Sequence, residues 1–336
     1  MSMSIVIGNV AQIMTRYLSM DIIQAPHWDF YVYLSTQSKD QLRFWENELP
    51  SLNCRRLFES HSCSKIFYTD ASSYVYGGYE VSTVNGVAHG VWSPDEMLKS
   101  STWRELMAVY RVLLSLVQNL RFQRVKWFTD NQSVSKIVAN GSMVPELQET
   151  ALDIYRYCAS NSIIVEMEWI PRSENDKGDY LSKIVDYDDW GVSQAIVDMV
   201  QNKWGNLEVD WFASDFNAKL PCFYTRFWNK GSSGIDAFTE NWSGKFGLFV
   251  PPICILPRVI RKMITDHVFF GVLIVPYWPS SSFWPLLCPL GTFTDAVLDW
   301  MYLPTSKSFY TICKNGKRLF GNKDLNFQML ALLVKF

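Results

Sequence analysis

Four acidic residues in this 336-residue chain have the types and settings to do chemistry together: Asp70, Glu105, Asp130 and Asp179. Asp70 closes the run Phe67-Tyr68-Thr69-Asp70-Ala71-Ser72. Glu105 opens a helical stretch in Trp103-Arg104-Glu105-Leu106, Asp130 closes Trp127-Phe128-Thr129-Asp130-Asn131-Gln132, and Asp179 stands in Gly178-Asp179-Tyr180-Leu181-Ser182. Carboxylates are hard oxygen donors, and Mg²⁺ takes a few of them while keeping several waters. Two such ions about 3.5–4 Å apart form the clamp used to displace groups at phosphorus, one on the attacking and one on the leaving oxygen. A clamp of that kind needs several carboxylates at one point, where they would repel one another without a cation.

Each acid also has an ordinary structural reading. Thr102-x-x-Glu105 fits a capping box, which would spend Glu105 on the helix end. Asp130 and Asp179 suit helix N-termini, where the dipole favours a negative charge. Asp70 suits a turn. These readings explain the acids singly. They do not explain why all four fall at element ends that one sheet edge could gather.

The elements that would gather them read clearly. Lys65–Thr69 and Tyr74–Thr83 are expected strands, and Asn85-Gly86 is a hairpin turn into a third strand, Val87–Trp92. Apolar residues at 106, 109, 110, 113, 114 and 117 predict a helix from Trp103 to about Leu120 with one buried face. Val125–Thr129 is a fourth strand, followed by a short helix to Gly141, a helix across 145–160, a fifth strand Ile163–Trp169 and a short helix near 176–184. The fold class expected is therefore α/β: a mixed five-stranded sheet with flanking helices, in which an antiparallel meander feeds parallel strands.

The motifs together resemble the ribonuclease H domain of retroelement reverse transcriptases, and within that group the DIRS-type, tyrosine-recombinase retrotransposons. The resemblance rests on Asp-Ala-Ser, Trp-Arg-Glu-Leu, Thr-Asp-Asn and Trp-Ile-Pro-Arg…Gly-Asp-Tyr-Leu-Ser, in that order. It implies hydrolysis of the RNA strand of an RNA–DNA hybrid, with two Mg²⁺ or Mn²⁺ ions held by Asp70, Glu105, Asp130 and Asp179. It also implies hybrid contacts along the minor groove, where 2′-hydroxyls mark the RNA strand. Ser72, Arg104, Asn131 and Gln132 are the nearest candidates, each with loop capping as the alternative. Many ribonucleases H place a mobile His shortly before the last Asp; here Ser173, Glu174 and Asn175 occupy that stretch, which implies slower turnover. His89, on the third strand, reads as structural. Residues 61–190 carry 12 Lys and Arg against 17 Asp and Glu, a net −5. Phosphate attraction would then come from the metals, from local groups such as Arg121, Arg124 and Lys126, or from polymerase domains of the same polyprotein, and hybrid binding by this chain is expected to be weak and salt-sensitive.

Residues 1–60 contain two helical stretches, Ile5–Leu18 and Lys39–Leu49 ending at Pro50, and resemble the connection that follows the polymerase in the same elements. No Tyr-x-Asp-Asp polymerase motif is present. Residues 191–336 read as a second α/β domain, with Asp186-Tyr187-Asp188-Asp189-Trp190 as the boundary. Its order of motifs, from Asp210-Trp211-Phe212-Ala213-Ser214 through Asp236-Ala237-Phe238 to Val250-Pro251-Pro252-Ile253, resembles the phage-type Dam adenine methyltransferases. That likeness implies a site for S-adenosylmethionine at Asp210, Ala213 and Asp236. The family's loop has Asn or Asp before Pro-Pro and an aromatic residue after it, to hold and stack the flipped base. Val250 cannot accept a hydrogen bond from an amine and Ile253 has no aromatic face, so methyl transfer is not expected and cofactor binding is doubtful.

Totals narrow the rest. Hydrophobic residues make up 48% and charged residues 19%, which excludes a disordered chain, and a formal charge of −2 advertises no nucleic-acid binder. Seven scattered Cys with no CxxC pair suggest reduced thiols rather than disulfides or zinc. The N-terminal residues lack the apolar core of a secretory signal, and Val268–Tyr277 is too short to span a bilayer. An intracellular protein, in cytoplasm or nucleus and with no membrane partner, is the expectation. Two other readings stay open: a catalytically inactive or domesticated binding fragment, which four intact carboxylates disfavour, and integrase-like strand transfer, which the helix-borne Glu and the fourth acid disfavour.

Overall fold

In the computed structural model the described residues are 8–52, 63–81, 86–116, 120–183, 190–311, 320 and 323–336. The expected Asn85-Gly86 turn falls at the edge of residues 82–85, and most of the expected boundary falls on 184–189; both stretches lie outside the described residues. The chain divides into two compact units, Met1–Ile184 and Val185–Phe336.

The first unit is built on a mixed sheet of β1 (Lys65–Ala71), β2 (Val75–Glu80), β3 (Val87–Val91), β4 (Arg124–Thr129) and β5 (Ile164–Trp169) in the order β3-β2-β1-β4-β5. β1, β2 and β3 pair antiparallel, and β1, β4 and β5 pair parallel. This is the mixed five-stranded sheet, an antiparallel meander feeding parallel strands, expected of the strand pattern. Alternation sets the inner face: Phe67, Val125 and Trp127 are fully buried, and the rings of Phe67 and Trp127 stack at 4.8 Å. The indole of Trp127 donates to Thr69 Oγ1 at 3.0 Å, so its one polar atom is satisfied inside the core.

Flanking helices are α4 (Pro94–Met97), α5 (Ser101–Leu116), α6 (Gln132–Asn140), α7 (Pro145–Ser160) and α8 (Asp176–Leu181), preceded by α1 (Val10–Ile13), α2 (Arg16–Ile23) and α3 (Thr36–Leu52). α5 buries Leu106, Val109, Leu113 and Leu114 as its periodicity predicts, while Tyr110 stays half-buried. The N-terminal helices pack on this unit: Val10, Ile13 and Met14 cluster with Leu152, and Gln148 Nε2 donates to the Ile13 carbonyl at 2.8 Å. α3 does not end at Pro50, as the sequence suggested, but runs to Leu52. Proline there gives up the bond to the carbonyl of exposed Glu46, which water can satisfy, and only two residues of the helix follow it.

The second unit has its own five-stranded sheet, β7 (Val209–Asp210), β10 (Gly247–Phe249), β11 (Gly271–Pro276), β12 (Val297–Leu303) and β14 (Met329–Val334), in the order β12-β14-β11-β10-β7. The β7, β10 and β11 strands are parallel, and β14 is antiparallel to both its neighbours. Short strands β6 (Gly191–Val192), β8 (Tyr224–Thr225), β9 (Gly234–Ile235) and β13 (Tyr310–Thr311) lie outside it. Residues 272 and 274 of β11 face a core with Ile196, Val197 and Val200 of α9 (Gln194–Trp204). Residues 273 and 275 face a core with Val259, Ile260 and Met263 of α10 (Leu256–Thr265). Burial on both faces explains why Gly271–Pro276 is an unbroken apolar run. Among the described residues no helix is long and apolar enough to cross a membrane.

Candidate functional site

Parallel pairing of β1 with β4, with Thr69 level with Thr129, brings Asp70 and Asp130 out at the same edge of the sheet. Asp70 is not a turn residue; it lies inside β1 and is buried. Asp130 follows β4 directly, and the Asn131 side chain caps α6 by accepting from Ser133 and Val134 amides at 3.0 and 3.2 Å. Glu105 comes from the second turn of α5. The capping-box reading fails for it, because Ser100 Oγ, not Thr102, accepts from the first turn, at 3.2 Å from the Trp103 amide. Glu105 instead reaches the sheet edge and accepts from the Ala71 amide.

The three carboxylates converge, with one oxygen of each within 4.8 Å of the others. Glu105 Oε2 is buried with no hydrogen-bond partner in the protein. Burial, then the charges of Asp70 and Asp130, push Glu105 well above the ordinary carboxylate range. Asp70 is raised by burial, which a hydrogen bond from Ser182 partly offsets and the charge of Asp179 adds to. Asp130 is raised by burial and then by Asp70. Two buried acids and a half-buried one that resist ionising together, with one oxygen orphaned, are a donor set that a divalent cation of hard-oxygen preference would relieve.

Asp179 sits apart from this trio. α8 is set against the sheet by Asn175, which is fully buried and donates from Nδ2 to the Thr69 carbonyl at 3.0 Å, one residue before Asp70. Opposite Asp70 in register is Gly77, where a Cβ would meet the backbone carbon of Leu181 at 2.5 Å; only glycine lets α8 lie that close. The Asp179 carboxylate is held by Lys183 and by Arg172 Nη2, the latter at 2.7 Å. Those hydrogen bonds, from Lys183 first and then Arg172, keep it below its ordinary range.

These residues line one cleft of about 400 Å³ that also takes in Ser72, Asn131, Gln132, Ser182, Arg172 and Lys183. Ser72 is spent on its own turn, its hydroxyl donating to the Ser182 carbonyl at 2.7 Å and accepting from Val75 N at 2.9 Å. Gln132 is exposed at the rim. Arg104 turns away, donating to the carbonyls of Met97 and Lys99 at 3.0 and 2.7 Å. Of the basic groups expected to attract phosphate, Arg124 and Lys126 are paired with Glu166 and Glu168, and Arg121 is bonded to Asn161. Arg172 and Lys183 are the cations that face the acids, and sequence reasoning did not single them out as site residues. The available signals were the place of Arg172 in the Trp-Ile-Pro-Arg motif and the spacing of both from Asp179, seven residues before and four after.

In the second unit Asp210 ends β7, buried, with Oδ2 accepting from the Lys219 amide at 3.3 Å and Oδ1 without a partner. Burial pushes its carboxyl up to about 6. The Ala213 amide donates to the Tyr224 carbonyl at 3.0 Å. Asp236 has a left-handed backbone at φ 54° and caps Phe238 at 3.1 Å. Val250 is buried in the core beside Trp190, whose indole donates to the Pro251 carbonyl at 3.1 Å. The Val250 side chain therefore presents nothing to a ligand.

No protein-family model and no curated protein sequence matches the chain. Among solved structures it is similar to LC11-RNase H1 in complex with RNA/DNA hybrid, at 18% identity and a TM-score of 0.31, over 35% of this chain and 93% of that one. It is similar to RNase H1 from the archaeon Halobacterium salinarum, at 18% identity and a TM-score of 0.30, over 35% and 92%. It is also similar to the foamy viral protease-reverse transcriptase in complex with RNA/DNA hybrid, at 15% identity and a TM-score of 0.26, over 46% of this chain and 21% of that one.

Proposed function

We propose that the first unit is a divalent-metal nuclease that hydrolyses the RNA strand of RNA–DNA hybrids, as part of a retrotransposon reverse transcriptase polyprotein. The observation that carries the reading is the convergence of Asp70, Glu105 and Asp130 from a strand, a helix and a strand end, in the order their motifs occur. The motif resemblance supplies the substrate class. Asp70, Glu105 and Asp130 would hold Mg²⁺ or Mn²⁺, and Asp179 would join them at a second ion. Bound there, the ions would supply Lewis-acid stabilisation of charge on the attacking and leaving oxygens. The protein's own part is preorganisation: rigid strand ends fix two carboxylates, α5 fixes the third, and Asn131 holds the loop beside Asp130. Arg172 and Lys183 place positive charge where a phosphodiester would enter the cleft.

For residues 185–336 the reading is an α/β module without methyl-transfer activity, because the loop position that should face a base is buried in the core. The nuclease reading is tested by incubating the full chain with labelled RNA–DNA hybrid and Mg²⁺ or Mn²⁺ beside Asp70→Asn and Asp130→Asn. RNA cleavage by the parent that both substitutions reduce to background is the expected result. Cleavage that survives either substitution would assign the activity to something else.

A further inference from the structure

Asp179 is the one acid of the four whose charge is already answered. Lys183 and Arg172 bind its two oxygens separately, Lys183 on Oδ2 and Arg172 on Oδ1, while Asp70, Glu105 and Asp130 have no cation hydrogen-bonded to them among the described residues. The field of Arg172 nevertheless reaches all three, favouring their ionised forms. Its own charge is reinforced by Asp179 first, then by Asp70 and Asp130. The two cations are held loosely: Arg172 and Lys183 are 71% and 58% exposed, against 24% for Asp179. Exposed pairs of this kind have small strength and open easily.

We propose that Arg172 and Lys183 form an ionic latch that competes with a divalent cation for Asp179, so that the site takes one ion at the three-acid cluster before it takes a second. The proposal rests on the metal-binding reading of the cluster. An ion drawing on Asp179 meets a cation already bound at each of its oxygens, whereas an ion at Asp70, Glu105 and Asp130 meets none among the described residues. The first ion also weakens the latch, because its charge repels Arg172 from the same cleft. The latch thus does two things that a bare fourth carboxylate would not. It lowers the net negative charge of the metal-free site, and it makes the second ion's affinity depend on what else draws the two cations away. A negatively charged phosphodiester in the cleft has the chemistry to do so.

The test is a Mn²⁺ titration of the full chain, followed by electron paramagnetic resonance of the free ion, with no nucleic acid present. The parent is expected to show one tight and one weaker ion. In Arg172→Gln/Lys183→Gln the weaker ion should bind about tenfold more tightly, the range expected when two exposed ion pairs stop competing. Adding Asp179→Asn to that variant should remove the gain, and Arg172→Lys alone should keep most of the parent behaviour. Equal isotherms for parent and double variant would overturn the latch while leaving the cluster intact. Loss of the tight ion in Asp70→Asn checks the cluster independently. An absence of Mn²⁺ binding in the parent would overturn the metal reading and the latch with it. All the latch residues are on the surface, and circular dichroism of each variant would verify that the fold is retained.

Discussion

At the scale of single residues, the site is defined by three acids, Asp70, Glu105 and Asp130, that the folded chain makes harder to ionise than they are in solution. Glu105 is the extreme case, buried beside Asp70 and Asp130 with one oxygen unpaired. A carboxyl whose folded value is raised binds a proton that the unfolded chain has already released. Between its ordinary value of 4.5 and its raised folded value, the native state therefore carries more protons, and stability falls as pH rises through that window. In chelator, the parent should lose melting temperature over this range relative to Glu105→Gln, by a few degrees for a unit of this size. Saturating Mg²⁺ should reverse the difference, because it binds the ionised acids and stabilises only the parent. Differential scanning calorimetry across the pH series measures both. A parent that gains stability over Glu105→Gln with rising pH in chelator would contradict the burial argument. Sequence offered Asp70, Glu105 and Asp130 as candidates because strand-end and helix-start motifs set them where one sheet edge could gather them. It missed Arg172, Lys183 and Asn175, since nothing local to these residues says that α8 folds back onto β1.

At the scale of elements, the decisive feature is the seating of α8 against the sheet. Order and type of the strands were legible, because burial of one face imposes period two and burial of one helix stripe imposes 3.6. The ends were less so. The first strand runs on through Asp70 to Ala71, since ladder bonds to Tyr76 outweigh the turn preference of its acid. The helix cap is Ser100 rather than Thr102, because Glu105 is drawn to the Ala71 amide. The Asn175 side chain joins α8 to β1 through a contact spanning 106 residues, which no window of sequence contains. Asn175→Ala would strand the Thr69 carbonyl in the interior, at a cost of about 1–3 kcal/mol. It would also loosen Asp179 relative to Asp70, and positioning groups behind metal ligands are typically worth about 10–100-fold in metal affinity or activity. The expected outcome is a lower melting temperature together with a lower affinity for the second Mn²⁺ and an unchanged first. A loss of stability with both ions unaffected would show that Asn175 holds the fold and not the site.

At the scale of the whole molecule, two α/β units with separate cores divide the chemistry unequally. The second unit keeps one buried, half-satisfied acid, Asp210, raised from 3.8 to about 6. By the same sign, its stability should decline between about pH 4 and pH 6 by on the order of 3 kcal/mol, and Asp210→Asn should remove most of that decline. Hydrogen exchange of the β10 and β11 amides against pH would follow it without reference to the first unit. An identical pH profile in parent and variant would show that Asp210 ionises freely. The central claim, however, belongs to the first unit. It is tested most directly by giving the full chain, with Mg²⁺, one labelled RNA in three forms: paired with DNA, paired with RNA, and single-stranded. The account predicts cleavage of the RNA paired with DNA, with its DNA partner and the other two forms left intact. Equal cleavage of all three forms, or none by the folded chain with Mg²⁺ or Mn²⁺, would contradict it.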